Sequence, residues 1–283
     1  DNYTSWHTLK WNLRNAVSMA LSGMSKVGHD IGGFTGPRPD AELLCRFVEM
    51  MALHPRAVMN SWKPDVAEGH LAATVPWLYP EVTERIRAAL HLRTTFLPVM
   101  YALAHRAYTD GSPIIRPLFY EFPDDPRAYD EHDAMMLGPD VLFSPVVTQG
   151  AREKTQYLPA GPQNLSAEQQ GWIEFATGKL HPAGQVVTVA ADLGAPPVFI
   201  RAGAALVLAS ETPHVKPHDA PARRLYLAIA GASGKGCGQH FEDDGVSWGF
   251  REGKALGLDI GFSWSESEVA ITLGRHAGQW AIP

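Results

Sequence analysis

The chain has 283 residues, enough for two domains or for one large domain with an appendage. Its composition is 45% hydrophobic, 10% aromatic and 19% charged, which excludes disordered, coiled-coil and collagen-like proteins. The 24 basic and 30 acidic side chains give a formal net charge of −6, so no basic footprint indicates nucleic acid as a partner. No apolar run is long enough to span a membrane. The two cysteines, Cys45 and Cys237, argue against a disulfide framework or a Cys-based zinc site.

The first part of the chain, residues 1–111, predicts alternating strands, loops and helices. Apolar residues from Leu9 to Leu21 recur every four positions, which predicts one face of a helix. Asp40 is a suitable N-cap for a second helix. The runs at 24–27 and 57–59 predict short strands before loops. This alternation is typical of an α/β barrel or a doubly wound sheet.

A long helix is predicted to begin at Pro80 and to stop at Gly111. Pro98 inside it is expected to kink or divide the helix, because proline lacks the amide hydrogen that the helix needs. Residues 1–111 are too few for a closed barrel, which typically takes about 250 residues. We therefore expect the missing strands and helices of the barrel to precede Asp1 in a longer protein.

Residues 112–210 change to the pattern of a β-sandwich. Short apolar runs between Pro and Gly turns predict strands at 114–115, 141–143, 155–158, 186–189 and 198–200. Further strands are predicted at 225–229 and 269–273, flanking a Gly/Ser-rich hairpin at 231–238. The proline-rich stretch 211–221 marks the predicted boundary, so we expect domains at 1–111, 112–210 and 211–283.

Two acidic residues are the candidates for chemistry. Asp1 precedes a predicted helix and lies at the loop end of a predicted strand, where catalytic residues collect in barrels; the alternative is a capping residue. Asp30 precedes Gly32 and Gly33, which let the backbone turn sharply toward a ligand. Its carboxylate is suited to accept hydrogen bonds from sugar hydroxyls, with Phe34 as an apolar edge. The alternative is a simple turn with Phe34 in the core.

Metal binding is not favoured by the pattern of histidines. His29 and His54 belong to no metal-binding motif, and a lone histidine is more often structural. The acidic stretch at 242–245 lacks the calcium-loop pattern and fits a turn equally well. We therefore predict neither a metal nor a cofactor.

The chain resembles the C-terminal portion of glycoside hydrolase family 31, the retaining α-glucosidases and α-xylosidases. The motifs agree in order over residues 1–203, and the match weakens beyond them except at 242–245. The segments that carry the resemblance are DNYTSW at 1–6, LSGM at 21–24, HDIGGF at 29–34, PW at 76–77, RPLFYEFP at 116–123, LGP at 137–139, YLPAG at 157–161 and FIRAG at 199–203.

The resemblance implies a role for each of five residues. Asp1 corresponds to the general acid/base of the family, and Asp30 to the ligand of the sugar hydroxyls, with Phe34 as the neighbouring aromatic. Tyr3 corresponds to an aromatic residue on the aglycone side. Asn60 stands where many members carry a sugar-binding histidine, which leaves the substrate preference open. The nucleophilic aspartate of the family is expected upstream of residue 1.

We therefore expect the C-terminal part of a (β/α)8 barrel followed by β-sandwich domains, within a retaining α-glycosidase that acts on terminal α-linked glucose. An α-xylosidase or another α-glycosidase of the family is the alternative. The chain alone lacks the nucleophile and is expected to be inactive. Its partners are expected to be a carbohydrate substrate and the missing N-terminal part of the enzyme, with no membrane contact and a cytoplasmic location.

Three other classes stay open. An inverting glycosidase needs its second carboxylate within this chain, roughly 6.5–9.5 Å from that of Asp1. A binding module would use the sandwiches alone. A non-catalytic scaffold would keep the barrel but lack the upstream aspartate.

Overall fold

The computed structural model describes residues 2–65, 70–71, 73–161, 170–210 and 222–281. Four helices and fifteen strands are assigned within these ranges. The helices are α1 (Trp6–Leu21), α2 (Ala41–Ala52), α3 (Thr83–Asp110) and α4 (Leu118–Glu121). The strands are β1 (Pro64–Asp65), β2 (His70–Leu71), β3 (Ile115–Arg116), β4 (Met135–Leu137), β5 (Val141–Phe143), β6 (Glu153–Leu158), β7 (Trp172–Glu174), β8 (Leu180–His181), β9 (Gln185–Ala190), β10 (Val198–Arg201), β11 (Ala205–Ala209), β12 (Arg223–Leu227), β13 (Gly234–Asp243), β14 (Ala255–Trp264) and β15 (Val269–Gly278).

The two predicted helices at the start of the chain are present, and both have side-chain caps. Ser5 caps α1 by accepting a hydrogen bond from the Thr8 amide at 3.0 Å, and Asp40 caps α2 through the Leu43 amide at 2.7 Å. The periodic apolar residues of α1 are buried, except for Leu21 at its exposed end. Local capping and periodicity therefore determine both helices.

The predicted strand at 24–27 is wrong. Helix α1 ends at Leu21, Gly23 follows with a φ of +92°, and the Met24 amide donates to Met19 O at 3.1 Å. That hydrogen bond belongs to the C-terminal cap of the helix, so it is unavailable to a sheet. Parallel pairing starts later: Arg56 N donates to Val27 O at 3.2 Å, and Ile31 N to Val58 O at 2.9 Å.

Helix α3 runs without interruption through Pro98, so the expected division of the helix is wrong. A short 3-10 turn at Pro80–Val82 precedes it, and Gly111 ends it in the left-handed conformation with φ +78°. Pro98 is buried within the helix. Packing of α3 against α2, β11 and β13 maintains the helix across the missing amide hydrogen bond.

The predicted β-sandwich is confirmed. An antiparallel six-stranded sheet has the order β3-β4-β5-β10-β7-β8, and β6 pairs separately with β9. Alternate residues of the large sheet face opposite sides. Val141 and Phe143 pack into the core shared with the helices, whereas Leu142 and Phe199 pack against Leu158 of β6. Both faces are buried, which explains why its strands have continuous apolar sequences.

The last part of the chain is a three-stranded antiparallel sheet, β13-β14-β15. The predicted hairpin at 231–238 is wrong beyond residue 233, because Gly234 begins a ten-residue strand. A Cβ atom at Gly236 would lie 2.2 Å from the Phe262 ring, and one at Gly234 would lie 2.4 Å from Trp264. The glycines are therefore strand residues over which the aromatic rings pack.

The acidic stretch at 242–245 contributes to a turn. Asp243 Oδ1 accepts a hydrogen bond from the Gly245 amide at 2.8 Å, and Asp244 Oδ1 accepts from Ser247 N at 2.8 Å. Strand β12, which follows the predicted boundary at 211–221, pairs with β11 in register from Ala205 to Ala209. The boundary itself lies outside the described residues, and the domain limits stay predictions.

A buried ion pair joins α2 to the sandwich. Arg46 Nη1 lies 2.7 Å from Glu49 Oε2, and both side chains are fully buried. Arg46 Nη2 also donates to the carbonyl oxygens of Ala151 (2.7 Å) and Ala191 (2.8 Å), while Glu49 Oε1 accepts from Gly194 N at 2.6 Å. Burial raises the pKa of Glu49, and the adjacent guanidinium opposes that rise. The pair therefore connects the barrel segment to two loops of the sandwich.

We expect Arg46→Met to lower the free energy of unfolding by about 3–5 kcal/mol, because it leaves the Glu49 carboxylate buried without its charge partner. Chemical denaturation measures the change. Arg87→Met is the matched control, since the Arg87–Glu84 pair is 3.5 Å long and exposed; it should change stability by no more than about 0.5 kcal/mol. Equal losses in the two variants would contradict the structural role of the buried pair.

Candidate active site

Three chain segments lie side by side and are joined by isolated parallel bridges. Residue Asp30 bridges Val58, and Tyr3 bridges Thr35, both in parallel orientation. The carbonyl oxygen of Asn2 accepts hydrogen bonds from Phe34 N at 2.7 Å and Thr35 N at 2.9 Å. Backbone hydrogen bonds therefore bring together segments 2–4, 30–35 and 58–62, which the sequence separates.

Asp30 lies at the end of the middle segment. Its side chain is 13% exposed, and Oδ1 lies 3.5 Å from Arg56 Nη2. That oxygen is buried and accepts no hydrogen bond within the described residues. The distance is too long for a good hydrogen bond, so the carboxylate has unused capacity to accept one. The predicted role of Asp30 toward sugar hydroxyls stays a prediction.

The other predicted binding residues lie on the same three segments. Tyr3 is 52% exposed, and a Cβ atom at Gly36 of the Asp30 loop would lie 2.7 Å from its ring. Phe34 is half-buried, so it is neither in the core nor fully exposed, and Asn60 is exposed two residues after Val58. The structure therefore brings Tyr3, Asp30, Phe34 and Asn60 onto adjacent segments, and their roles toward a sugar stay predictions.

Asp1 lies outside the described residues. The alternative role considered for it, capping of α1, is performed by Ser5. The helix therefore has its cap without Asp1. Its predicted role as an acid/base stays a prediction.

Two exposed tryptophans were not among the predicted binding residues. Trp62 is 59% exposed and Trp77 is 68% exposed. The Trp62 amide donates to Phe34 O at 2.7 Å, so Trp62 is the last residue of the third segment. An aromatic side chain just beyond a strand end is a usable sequence signal, because aromatic rings commonly line ligand sites.

His54 is fully buried, and His29 is half-buried. Burial lowers the pKa of His29 to about 4 and that of His54 to about 3, so both imidazoles are neutral at pH 7. The Nδ1 atom of His54 lies 2.7 Å from Met50 O, and His29 contacts the edge of Trp11. Within the described ranges, no group of three or more His, Cys, Asp or Glu side chains could hold a metal ion.

Lys63 and Thr4 are polar residues of the site that the sequence did not reveal. Lys63 is 2% exposed and Thr4 is 4% exposed. The Lys63 ammonium donates to Thr4 Oγ1, and the Thr4 hydroxyl lies 2.8 Å from Gly32 O. The sequence does not indicate that Lys63 is buried, because lysine is usually exposed. The partners of Lys63, Thr4 and Gly32, lie about 60 and about 30 residues away in the sequence.

None of the helices in the described part of the chain is long and apolar enough to cross a membrane.

Comparison with solved structures shows the fold first. The structure of a dextranase from Flavobacterium johnsoniae in complex with glucose superimposes with a TM-score of 0.84 at 24% identity, covering 98% of this chain and 33% of the dextranase. This similarity shows the fold alone: the end of a barrel followed by β-rich domains.

Two family models then match consecutive parts of the sequence. The TIM-barrel domain of glycosyl hydrolase family 31 matches residues 1–103, and the C-terminal domain of the same family matches residues 111–206. The chain belongs to glycoside hydrolase family 31.

Curated relatives cover the whole chain. Alpha-glucosidase 2 of Bacillus thermoamyloliquefaciens is 29% identical over 287 residues, which are 100% of this chain and 34% of that protein. An alpha-xylosidase of Saccharolobus solfataricus is 29% identical over 286 residues, 99% of this chain and 36% of that protein. The chain therefore spans about a third of the length of these relatives.

The loop after Asp30 depends on a close approach at Gly33. Its φ is +80°, and a Cβ atom there would lie 2.7 Å from Thr4 Oγ1 and 2.8 Å from Thr4 N. We expect Gly33→Ala to lower the free energy of unfolding by about 2–4 kcal/mol, because backbone strain adds to the overlap with Thr4. Thermal or chemical denaturation measures the loss.

Gly23→Ala separates the effect of backbone strain from that of the overlap with Thr4. Gly23 has a φ of +92° with nothing within 4 Å of its would-be Cβ, so that variant carries the backbone strain alone. It should lose only about 1 kcal/mol. A loss at Gly33 no greater than that at Gly23 would contradict the close approach of the loop to Thr4.

Proposed function

We propose that this chain is part of a retaining α-glycosidase that hydrolyses terminal α-linked glucose from oligosaccharides or glycosides. The observation that carries the proposal is the lateral pairing of three segments through isolated parallel bridges, which places Tyr3, Asp30 and Phe34 on adjacent segments. In barrel enzymes, catalytic and binding residues come from the loop ends of the strands. Membership of family 31 supports the same reaction.

The proposed mechanism needs two carboxyl groups about 5–5.5 Å apart. In it, Asp1 protonates the departing glycosidic oxygen and then activates the water that releases the sugar. The nucleophile that forms the glycosyl-enzyme is an aspartate upstream of residue 1. Asp30 binds the sugar in this mechanism, because an ionised carboxylate accepts hydrogen bonds from hydroxyl groups. The exposed ring of Tyr3 lines the aglycone side.

The sugar at the cleaved bond is glucose in this proposal, with xylose as the second candidate. One curated relative is an alpha-glucosidase and another an alpha-xylosidase, at the same 29% identity. The two sugars differ by one hydroxymethyl group, and Asn60 occupies the position of the family's sugar-binding histidine. Asn60 is therefore the residue at which the preference is best tested.

The partners and the compartment follow from the same proposal. The chain acts together with the N-terminal part of the enzyme, and its small-molecule partner is a carbohydrate. The coverage of about a third of each relative supports this arrangement. The cytoplasmic location stays a proposal from the cysteine content of the sequence.

We expect Asp1→Asn in the complete protein to lower kcat/KM for α-glucosides with poor leaving groups by about 10²–10⁴-fold. Formation of the glycosyl-enzyme from activated aryl α-glucosides should change little, because their leaving groups need no proton. Steady-state kinetics with the two substrate types, and a burst experiment with the aryl glucoside, measure the difference.

Asp124→Asn is the matched control, because Asp124 is an exposed aspartate outside the site. It should leave both rates unchanged. Equal loss for both substrate types in Asp1→Asn would contradict the acid role of Asp1. A complete wild-type protein that binds sugars but hydrolyses no α-glycoside would favour the scaffold class instead.

Asn60→His is expected to change the ratio of kcat/KM for α-glucosides to that for α-xylosides by about tenfold, since pocket contacts of this size discriminate by such factors. Stability should change by no more than about 0.5 kcal/mol, because Asn60 is exposed. Asn60→Ala distinguishes loss of the amide from gain of the imidazole. An Asn60→His protein that unfolds would show that Asn60 is structural.

A further inference from the structure

The ammonium group of Lys63 lies at the junction of two segments of the candidate site. Besides Thr4 Oγ1, three backbone carbonyl oxygens surround it within hydrogen-bond distance. They belong to Gly32 at 3.2 Å, Pro37 at 3.3 Å and Thr35 at 3.4 Å. Within the described part of the chain, no carboxylate forms an ion pair with Lys63.

These four oxygens belong to two chain segments that contact each other. Thr4 is in the segment that follows Asp1, and the three carbonyl groups are in the loop that follows Asp30. The same contact has two backbone hydrogen bonds from the Phe34 and Thr35 amides to Asn2 O. Within the described residues, Lys63 therefore attaches one segment to the other through four oxygen atoms.

The charge is costly in this position. Taking an ammonium group out of water costs several kcal/mol, and carbonyl oxygens recover only part of that cost without a negative partner. A methionine side chain has nearly the same length and would fill the same space without burying a charge. The Lys63 ammonium fixes the geometry of the contact, because its three N–H groups have defined acceptors. A methionine side chain would not.

The ammonium form persists at neutral pH. Burial lowers the pKa of Lys63 to about 8, so the group is still mostly protonated at pH 7. The four oxygen acceptors favour the charged form over the neutral amine. The contact is therefore present under the conditions in which a glycosidase is assayed.

We propose that Lys63 is a positioning residue of the active site: its ammonium holds residues 2–4 against the Gly32–Pro37 loop and so orients the acid/base and the sugar-binding carboxylate relative to each other. This inference rests on the proposed function. Among the described residues, Lys63 contacts Thr4 and the loop, and it acts through them. A displacement of about 1 Å in such a segment is enough to cost up to about 10²-fold in rate.

The test uses Lys63→Met in the complete protein, with two α-glucosides that differ in leaving group. Misplacement of the acid should lower kcat/KM about 10–100-fold for the alkyl glucoside and much less for an activated aryl glucoside. The measured quantity is the ratio of the two values. A purely structural role would lower the amount of folded protein and leave this ratio unchanged, which would overturn the proposal.

Matched variants keep the test decisive if Lys63→Met folds poorly. Thr4→Val removes the hydroxyl acceptor and should shift the ratio in the same direction, whereas Thr4→Ser retains the hydroxyl and should restore it. Lys26→Met, at an exposed lysine, should leave the ratio unchanged. A wild-type ratio in both Lys63→Met and Thr4→Val would overturn the proposal.

Failure of the proposed function gives a different result. A complete wild-type protein that hydrolyses neither glucoside contradicts the glycosidase assignment before any variant is compared. Hydrogen exchange of the Thr4 amide, which donates to Thr35 O at 2.9 Å, then reports on the contact itself. Faster exchange in Lys63→Met than in Lys26→Met supports the attachment of the two segments, and equal exchange contradicts it.

Discussion

The carbonyl oxygen of Asn2 accepts hydrogen bonds from two consecutive amides, those of Phe34 and Thr35. This contact is possible because Gly32 and Gly33 both have positive φ and turn the loop back toward the first segment. The positions of Tyr3, Asp30 and Phe34 relative to one another all depend on it. A side chain at either glycine would move the loop away from residues 2–4, and the site would lose its arrangement without losing any of its functional groups.

The segments of the site are held by a much larger packed structure. One core contains residues of α1, α2 and α3 together with one face of the six-stranded sheet. The buried Arg46–Glu49 pair adds polar contacts between the same parts. These segments therefore rest on a rigid support, although only part of a barrel is formed by the described residues. Rigid support of this kind is what a site with defined geometry requires.

The structure shows which features the sequence could predict. Helices α1 and α2 were predictable because Ser5, Asp40 and the spacing of apolar residues act locally. The strand at 24–27 was wrongly predicted because the Met24 amide is used by the helix cap, and the strand at Gly234 was missed because its glycines pack under rings from β14. The turn after Asp30 was predictable from Gly32 and Gly33, whose φ angles are positive, whereas the role of Asp30 toward a sugar stays a prediction. The burial of Lys63 was not predictable, since it depends on contacts with residues far away in the sequence.

The contacts of helix α3 have a consequence for thermal unfolding of the chain. It contacts α2, β11 and the distal strand β13, and its buried residues belong to the same core as one face of the six-stranded sheet, so one continuous helix is shared by all three parts of the chain. None of these parts can melt without exposing apolar surface of the others. Heating the chain should therefore produce one cooperative transition rather than three, with the barrel segment, the sandwich and the distal sheet lost together.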